Sequence, residues 1–472
     1  MLAQIILFVQ DLVREDKRLS QYISAAALAL TCLLSVYLAS SGNTVSFANS
    51  TFVFNSLAYY FGVIFSLSAL LVMLSAGSFL GRAEYAFEFS SLAILGVLGS
   101  FFVASSTNLV ALFVVFEMAT TATYGMVAYA RRSKLSAEAA IKYFVVGAVS
   151  AGIIIYGISL IYIATGSVSI SSVFSVTSQS SQLLDVGVIL LIVGFGFKIA
   201  AFPFHMWLPD TYEGAPYPAT TYLASVSKVM GFAALVRIFL VMGPAIYALG
   251  GLNWEVIFGL LSILTMTFGN LAALVQTSMK RMLAYSSIAM SGYMLIGLAL
   301  GTSFSYAVLL YFMLTYAIAK AGSFIVAQFF ESEHNAKSID DYAWLARKSP
   351  LSAFSLTIML LSLAGIPPLS VFVAKFFIFY ASVQVGGYWI LLAIAGVLNS
   401  ALSLYYYARV IKNMYIGLAG ESPPPQGPRL ERIGYMIPIL TCLVLTIALG
   451  LGEGTVIAVA KHAVTTLSAT VF

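Results

Sequence analysis

The chain has 472 residues, 61% of them hydrophobic and 9% charged, with a formal net charge of +5. Such a composition excludes a water-soluble fold for most of the length and describes a polytopic membrane protein. The small positive excess belongs to basic loops on one membrane face and gives no support to nucleic-acid binding.

Apolar runs of roughly 20 residues, enough at about 1.5 Å per residue to cross about 30 Å of hydrocarbon, recur along the sequence. They imply helices, not a porin-like barrel. In chain order they predict spans near 1–13, 20–40, 56–79, 87–105, 107–129, 136–165, 183–202, 217–242, 254–276, 281–301, 304–330, 350–383, 388–416 and 433–451. The first is short for a span. Its charges, "REDKR", follow the apolar run and no small-residue cleavage site is visible, which argues against a signal peptide. No stretch is long or polar enough for a separate soluble domain.

Loop charges test this threading independently. Arg14, Lys17, Arg18, Arg82, Arg131, Arg132, Lys134, Lys280, Arg281, Lys337, Arg347, Lys348, Arg409, Lys412, Arg429 and Arg432 fall on one side if every helix crosses once, and the other side receives only Lys461. The basic side is then cytoplasmic, and both chain ends face outward.

Two predicted spans are interrupted. "GFGFKIAAFPFHMWLPD" carries Pro203 and Pro209, and "LSLAGIPPLSVFVAKFF" carries Gly365, Pro367 and Pro368; each proline removes a backbone donor and clashes with the preceding turn. A lysine lies close to each break, Lys198 and Lys375. Paired broken helices are expected of repeats that hold an ion path near mid-membrane. Equivalent positions are five helices apart, and five is odd, so a tandem five-helix unit must be inverted. The resulting division is 1–86 for the first three helices, 87–242 and 254–416 for the two repeats, and 433–472 for the last helix and a tail.

Lys142, Lys198, Lys228, Arg237, Lys320 and Lys375 remain inside predicted spans, and Glu117 is the acidic residue near a helix centre. An ionisable group at that depth costs on the order of 2.5–3.5 kcal/mol on insertion scales, so each needs a partner, water or a neutral state. Arg237 and Lys142, nearer their helix ends, suit snorkelling or a structural pair. The central lysines facing one carboxylate leave a positive excess that pairing does not neutralise, so some of these groups must exchange protons. An ammonium's hold on its proton weakens with desolvation or beside another cation and strengthens beside a carboxylate. Glu117 beside Lys198 would form a switchable pair, with Lys228, Lys320 and Lys375 as further stations. His205 adds a group that titrates near neutrality, with a hydrogen-bonded cap of the break as its structural alternative. Tyr316 and the run "YSSIAMSGY" at 285–293 offer hydroxyls, although Ser and Tyr in membrane helices more often serve packing.

The stretch "FKIAAFPFHMWLPDTYEGAPYPATTYLASVSKVMGFAALVR" closely resembles the antiporter-like, proton-pumping membrane subunits of respiratory complex I, and "DTYEGAP" and "GFAALVR" resemble the N-type subunit in particular. The likeness continues in "FEMATTATYGMVAY", "EAAIKYFVVGA", "QTSMKRMLAYSSIAMSGYMLIG", "GIPPLSVFVAKFFIF" and "SLYYYARVIKNMY", covering nearly the whole chain in order. It implies an all-α polytopic fold of about fourteen helices, with two inverted five-helix repeats whose seventh and twelfth helices are broken. By motif, Glu117 resembles the family's mid-membrane carboxylate, Lys198 its partner, Lys228 the next station, Lys375 the lysine of the second broken helix and Lys142 the additional N-type lysine. Met290 stands where many relatives have His or Gln, and Lys320 where many N-type chains are uncharged.

The expected function is proton translocation as one membrane-arm subunit of a complex I-like assembly in a bacterial or archaeal membrane. Cys32 and Cys442 lie about 400 residues apart, and the chain has no dinucleotide fingerprint and no His pair on one helix face, so no cofactor or metal is expected in it. Quinone, flavin mononucleotide and iron–sulfur clusters would belong to partner subunits. A cation/proton antiporter subunit of the Mrp type is the alternative, and a scaffold whose charges no longer move is the third reading.

Overall fold

The computed structural model describes residues 4–7, 17–80, 86–130, 132–171, 181–248, 253–418 and 432–471. Helix α1 spans Lys17–Ser41, and a short antiparallel hairpin follows, β1 Val45–Phe47 and β2 Phe52–Phe54. Then come α2 Ser56–Ser75, α3 Ala86–Ser105, α4 Leu109–Val127, α5 Lys134–Thr165, α6 Ser181–Ile199 and α7 Trp207–Gly214. Helix α8, Tyr217–Tyr222, runs through a π-helical turn, Leu223–Ser227, into α9 Lys228–Ala248. The second half comprises α10 Trp254–Leu274, α11 Met279–Leu300, α12 Ser303–His334, α13 Pro350–Ala364, α14 Ser370–Val385, α15 Ile390–Ile416, α16 Ile433–Leu451 and α17 Glu453–Val471.

Twelve described helical stretches are long and apolar enough to cross a bilayer, and α13 and α14 add two shorter apolar pieces. They reproduce the second to fourteenth predicted spans to within a few residues. The first predicted span lies outside the described residues except for 4–7, which are helical, and Arg14, Arg82, Arg131 and Arg429 also lie outside them.

Capping residues explain several helix starts. Asn55, Asn108, Ser133, Asn253 and Ser278 each accept a backbone N–H of the following first turn through a side-chain oxygen, which satisfies donors that the bilayer cannot. The pairs α1/α2, α3/α4, α5/α6 and α10/α11 pack closely as sequence neighbours. In the last pair a Cβ at Gly292 would meet the Met266 backbone nitrogen at 2.4 Å, so only glycine lets the two backbones approach.

The architecture is layered by burial. α11, α12 and the α8–α9 stretch are buried along nearly their whole apolar length, whereas α1, α5 and α15 expose large apolar side chains such as Leu33, Val149 and Leu398 to the surroundings. The exposed apolar side chains suit the outer helices to lipid, and the central α9 and α12 carry the buried Lys228, Arg237 and Lys320.

Both expected breaks are present. α6 stops at Ile199, Ala200 adopts a left-handed φ of 55°, and a turn through a cis Phe202–Pro203 peptide leads to α7. Pro209 does not interrupt a helix: it lies in the first turn of α7, where its missing N–H costs nothing. The second break runs from Gly365, at φ 95°, through a cis Pro367–Pro368 peptide to the start of α14. The lysines are not placed equivalently, since Lys198 precedes its break and Lys375 follows its own.

Three features depart from the sequence reading. The hairpin at 45–54 and the π turn before Lys228 were not foreseen, and the expected tail after 451 is helix α17, packed on α2 and α12. Ion pairs Arg281–Asp210, Arg409–Asp340 and Arg432–Glu333 gather loops from distant parts of the chain at the basic face.

Candidate functional site

Lys198 is in the last turn of α6 and only 1% exposed. Its Nζ donates to Thr120 Oγ1 at 3.0 Å and to the Tyr143 hydroxyl at 2.8 Å. Tyr143 lies 2.9 Å from Thr123 Oγ1, and Thr123 donates to the Thr120 carbonyl at 2.6 Å. Because Tyr143 accepts from the amine, its own proton is directed to Thr123, and the three groups form an ordered chain. Trp207, the first residue of α7, stacks on Tyr143 with centroids 4.6 Å apart and donates its indole N–H to the Phe197 carbonyl. The piece beyond the break thereby fixes the lysine's phenolic partner.

Glu117 is one turn before Thr120 on α4, half-buried and within electrostatic reach of Lys198, but the two form no contact ion pair. The expected pair is therefore indirect: the carboxylate acts through space, while hydroxyls hold the amine. Such an arrangement lets the amine lose a proton without leaving a contact carboxylate unpaired.

Side chains also bond backbone groups in and just before this break. Ser150 donates to the Gly194 carbonyl at 2.6 Å, Ser291 to the Ile199 carbonyl at 2.6 Å, and the Phe202 N–H donates to Thr265 at 2.9 Å.

Lys228 is 1% exposed at the first position of α9, directly after the π turn, and its Nζ donates to the Ser287 carbonyl at 2.8 Å. One turn on, a Cβ at Gly231 would meet the Lys198 side chain at 3.1 Å, so the first two lysine-bearing elements touch. Lys320, 0% exposed at the middle of α12, donates to Ser286 Oγ. Lys228 and Lys320 thus rest on adjacent residues of α11, Ser287 and Ser286. Within the polar run at 285–293, the Ser286 hydroxyl and the Ser287 carbonyl hold the two amines, and Ser291 bonds the first break.

Two turns further along α11, Tyr293 presents its ring to Lys375 Nζ at 4.4 Å. Lys375 is 2% exposed and donates to the carbonyls of Leu363 and Ala364 at 2.9 and 3.2 Å, the last residues of α13 before the break. The broken helix supplies the lysine's acceptors. Gly365 lies against the stem, where an added Cβ would sit 3.3 Å from Lys375 Cδ.

A polar cluster absent from the sequence reading surrounds Tyr293. Asn270 Nδ2 donates to the Tyr293 hydroxyl and to Asn399 Oδ1, each at 3.1 Å, while Asn270 Oδ1 accepts from Tyr406 at 2.9 Å. Tyr407 packs on Tyr406 at 4.4 Å. The available signal was an asparagine near the centre of two apolar runs, "TFGNLAAL" and "GVLNSALSL".

Lys142 is away from this line. Its Nζ is 2.7 Å from Asp210 and 2.8 Å from Glu138; Arg281 holds the other oxygen of Asp210 at 2.9 Å and Glu213 at 2.8 Å. The five groups tie α5, α7 and α11 together at the basic face around a small cavity of about 190 Å³. Burial alone would raise the Asp210 carboxyl, but hydrogen bonds from Lys142 and Arg281 outweigh it and hold the group below the ordinary carboxylate range. The stability from this depressed group is present above its unfolded value of about 3.9 and is lost as pH falls through the folded value. Replacing Lys142 by methionine therefore should make the assembly begin to unfold at a higher pH on acidification; an unchanged acid limb in thermal unfolding would contradict this role.

His205 is also off the line. It is 3% exposed, stacked against Phe202 and Phe268 with centroids at 5.5 and 4.4 Å, and its Nδ1 has no hydrogen-bond partner. Arg237 does not snorkel: it is 2% exposed and donates from Nε to the Ser106 carbonyl at 2.7 Å, over the end of α3.

Comparison with known proteins bears on this arrangement. Residues 106–403 match the family described as NADH:quinone oxidoreductase/Mrp antiporter, transmembrane. The chain is 37% identical over 440 residues to the F(420)H(2) dehydrogenase subunit N of Methanosarcina mazei, covering 90% of this chain and 86% of that protein. It is 42% identical over 381 residues to the NADH-quinone oxidoreductase subunit N of Trichlorobacter lovleyi, covering 79% and 77%. Its fold superposes on a chain of respiratory complex I from Thermus thermophilus with a TM-score of 0.82, at 29% identity and 98% coverage of both chains.

Proposed function

Since the chain belongs to the family of transmembrane subunits shared by NADH:quinone oxidoreductases and Mrp antiporters, we propose that it moves protons as the N-type subunit of a complex I-like, quinone-reducing assembly. The observation that carries this reading is the set of four buried lysines, Lys198, Lys228, Lys320 and Lys375, whose amines are held by hydroxyls and carbonyls of α4, α5, α11 and α13. A line built only for stability would pair each ammonium with a carboxylate. Here the acceptors are neutral groups, which leave the charge on each amine free to change.

In this reading Glu117 sets the proton affinity of Lys198 through space. An ammonium at Lys198 donates to a neutral amine at Lys228, which takes up the positive charge; Lys320 and then Lys375 follow in the same way, with Ser286, Ser287 and the Asn270–Tyr293–Tyr406 cluster lining the route. Lys142 and Asp210 form the mouth at the basic face, and His205 holds the first break through its ring contacts. The segments 87–242 and 254–416 are the two inverted units between which the line runs. The chain acts as one subunit of a translocating oxidoreductase, and the energy comes from quinone reduction in partner subunits that carry the redox cofactors.

The named relatives are subunits N of a dehydrogenase and of a quinone oxidoreductase, which favours a redox-driven assembly over a gradient-driven antiporter. The decisive experiment is to purify the tagged chain in mild detergent, identify its partners by mass spectrometry, and reconstitute the particle in vesicles. Iron–sulfur subunits and proton uptake dependent on quinone reduction are expected. A particle of small membrane subunits that exchanges sodium for protons without quinone would overturn the proposal.

A further inference from the structure

At the face opposite the basic loops, a polar cavity of about 550 Å³ opens between the hairpin, the start of α4, residues 169–171 and α9. Arg237 lines it. The guanidinium is 2% exposed and uses Nε and Nη2 on the carbonyls of Ser106 and Ser105, at 2.7 and 3.4 Å. Its Nη1 is buried and has no hydrogen-bond partner.

Two caps at the end of α3 explain part of this arginine, because the carboxyl end of a helix favours a cation. They do not account for the third nitrogen, whose burial without an acceptor is costly for a group that stays charged. The remaining lining includes Thr51, Thr107, Asn108, Ser169 and Ser171, with no carboxylate among the described lining residues, and the sequence from Thr165 to Leu184 contains no acidic residue. Ser169 and Ser171 hydroxyls lie 3.0 Å apart. Asn108 begins the 19-residue α4, whose amino end adds further positive potential.

We propose that this cavity binds an oxyanion of the phosphate class, with the Arg237 guanidinium in its wall as the positive charge and the surrounding hydroxyls and amide as donors. A planar guanidinium matches such an anion geometrically, and an anion beside it offsets the charge of a buried arginine that has one nitrogen without an acceptor. The cavity has room for the anion together with several waters, at about 30 Å³ each. A free anion from the outer compartment and the phosphate of a lipid headgroup offer the same chemistry.

The test compares the intact assembly carrying wild-type chain, Arg237→Gln or Asn108→Asp. The second substitution retains a capping oxygen for α4 and leaves the α3 end untouched, but places a carboxylate in the cavity. Inorganic phosphate binding is measured by equilibrium dialysis, and retained phospholipid by mass spectrometry. One phosphate site per chain in the wild type, weakened at least tenfold in both variants, would establish a free-anion site. No phosphate site, but one anionic phospholipid per chain lost from both variants, would establish a headgroup site. Equal phosphate and lipid content in all three overturns the proposal, and Asn108→Asp decides alone if Arg237→Gln does not assemble.

Discussion

Lys198→Met complexes are expected to assemble with their partner subunits and to lose quinone-dependent proton uptake by at least about tenfold, equivalent to about 1.4 kcal/mol in the limiting step. Methionine fills most of the lysine stem's volume, so packing around Phe116, Tyr143 and Gly231 is largely kept. What disappears is the amine that donates to both Thr120 and Tyr143 at the head of the Thr120–Tyr143–Thr123 chain. Tyr143 then accepts no bond from a cation, and the through-space action of Glu117 has nothing to act on. Vesicles carrying the purified variant, followed with a pH-sensitive dye during quinone reduction, give the measurement. Uptake at the wild-type rate in an assembled variant would remove Lys198 from the route and leave it a structural role.

Lys375→Arg supplies the second large effect and separates proton release from hydrogen bonding. Arginine can still donate to the carbonyls of Leu363 and Ala364, so the end of α13 stays capped, yet it does not give up its proton in a protein. Proton translocation should fall about as far as in Lys375→Met, while the thermal stability of the arginine variant should exceed that of the methionine variant. The reason is that methionine leaves two buried carbonyls without their donor, at about 1–3 kcal/mol for such a group. If the arginine variant translocates normally, Lys375 works as a fixed donor, and the release step must be sought elsewhere.

The broken helices were legible because Pro and Gly act locally: the chain before Pro203 and around Gly365 cannot continue a helix whatever packs against it. Pro209 shows the limit of that rule, since a proline in a first turn is harmless and the sequence does not state where the turn begins. The π turn ahead of Lys228 was not legible. It inserts an extra residue into the turn without any Pro or Gly in "LASVS" to announce it, and only contacts on all sides of that stretch maintain it. Helix α17 was missed for a related reason: Lys461 and His462 dilute its apolar content, and its buried face reduces to residues such as Ala460, Ala463 and Val464.

By itself the sequence determined the membrane class, the approximate spans and the identity of the buried ionisable groups. Each follows from the cost of placing a backbone or a charge in hydrocarbon, and that cost depends on composition along the chain. Tertiary structure alone decided which groups meet. The sequence places Glu117 beside Lys198 as a switchable pair, yet the amine is held by Thr120 and Tyr143, and the other amines rest on Ser286, Ser287 and the carbonyls of α13. Position along a helix gives depth in the membrane. The partner across the interface depends on helix rotation and on close approaches such as that at Gly292, which arise only when all the helices have packed.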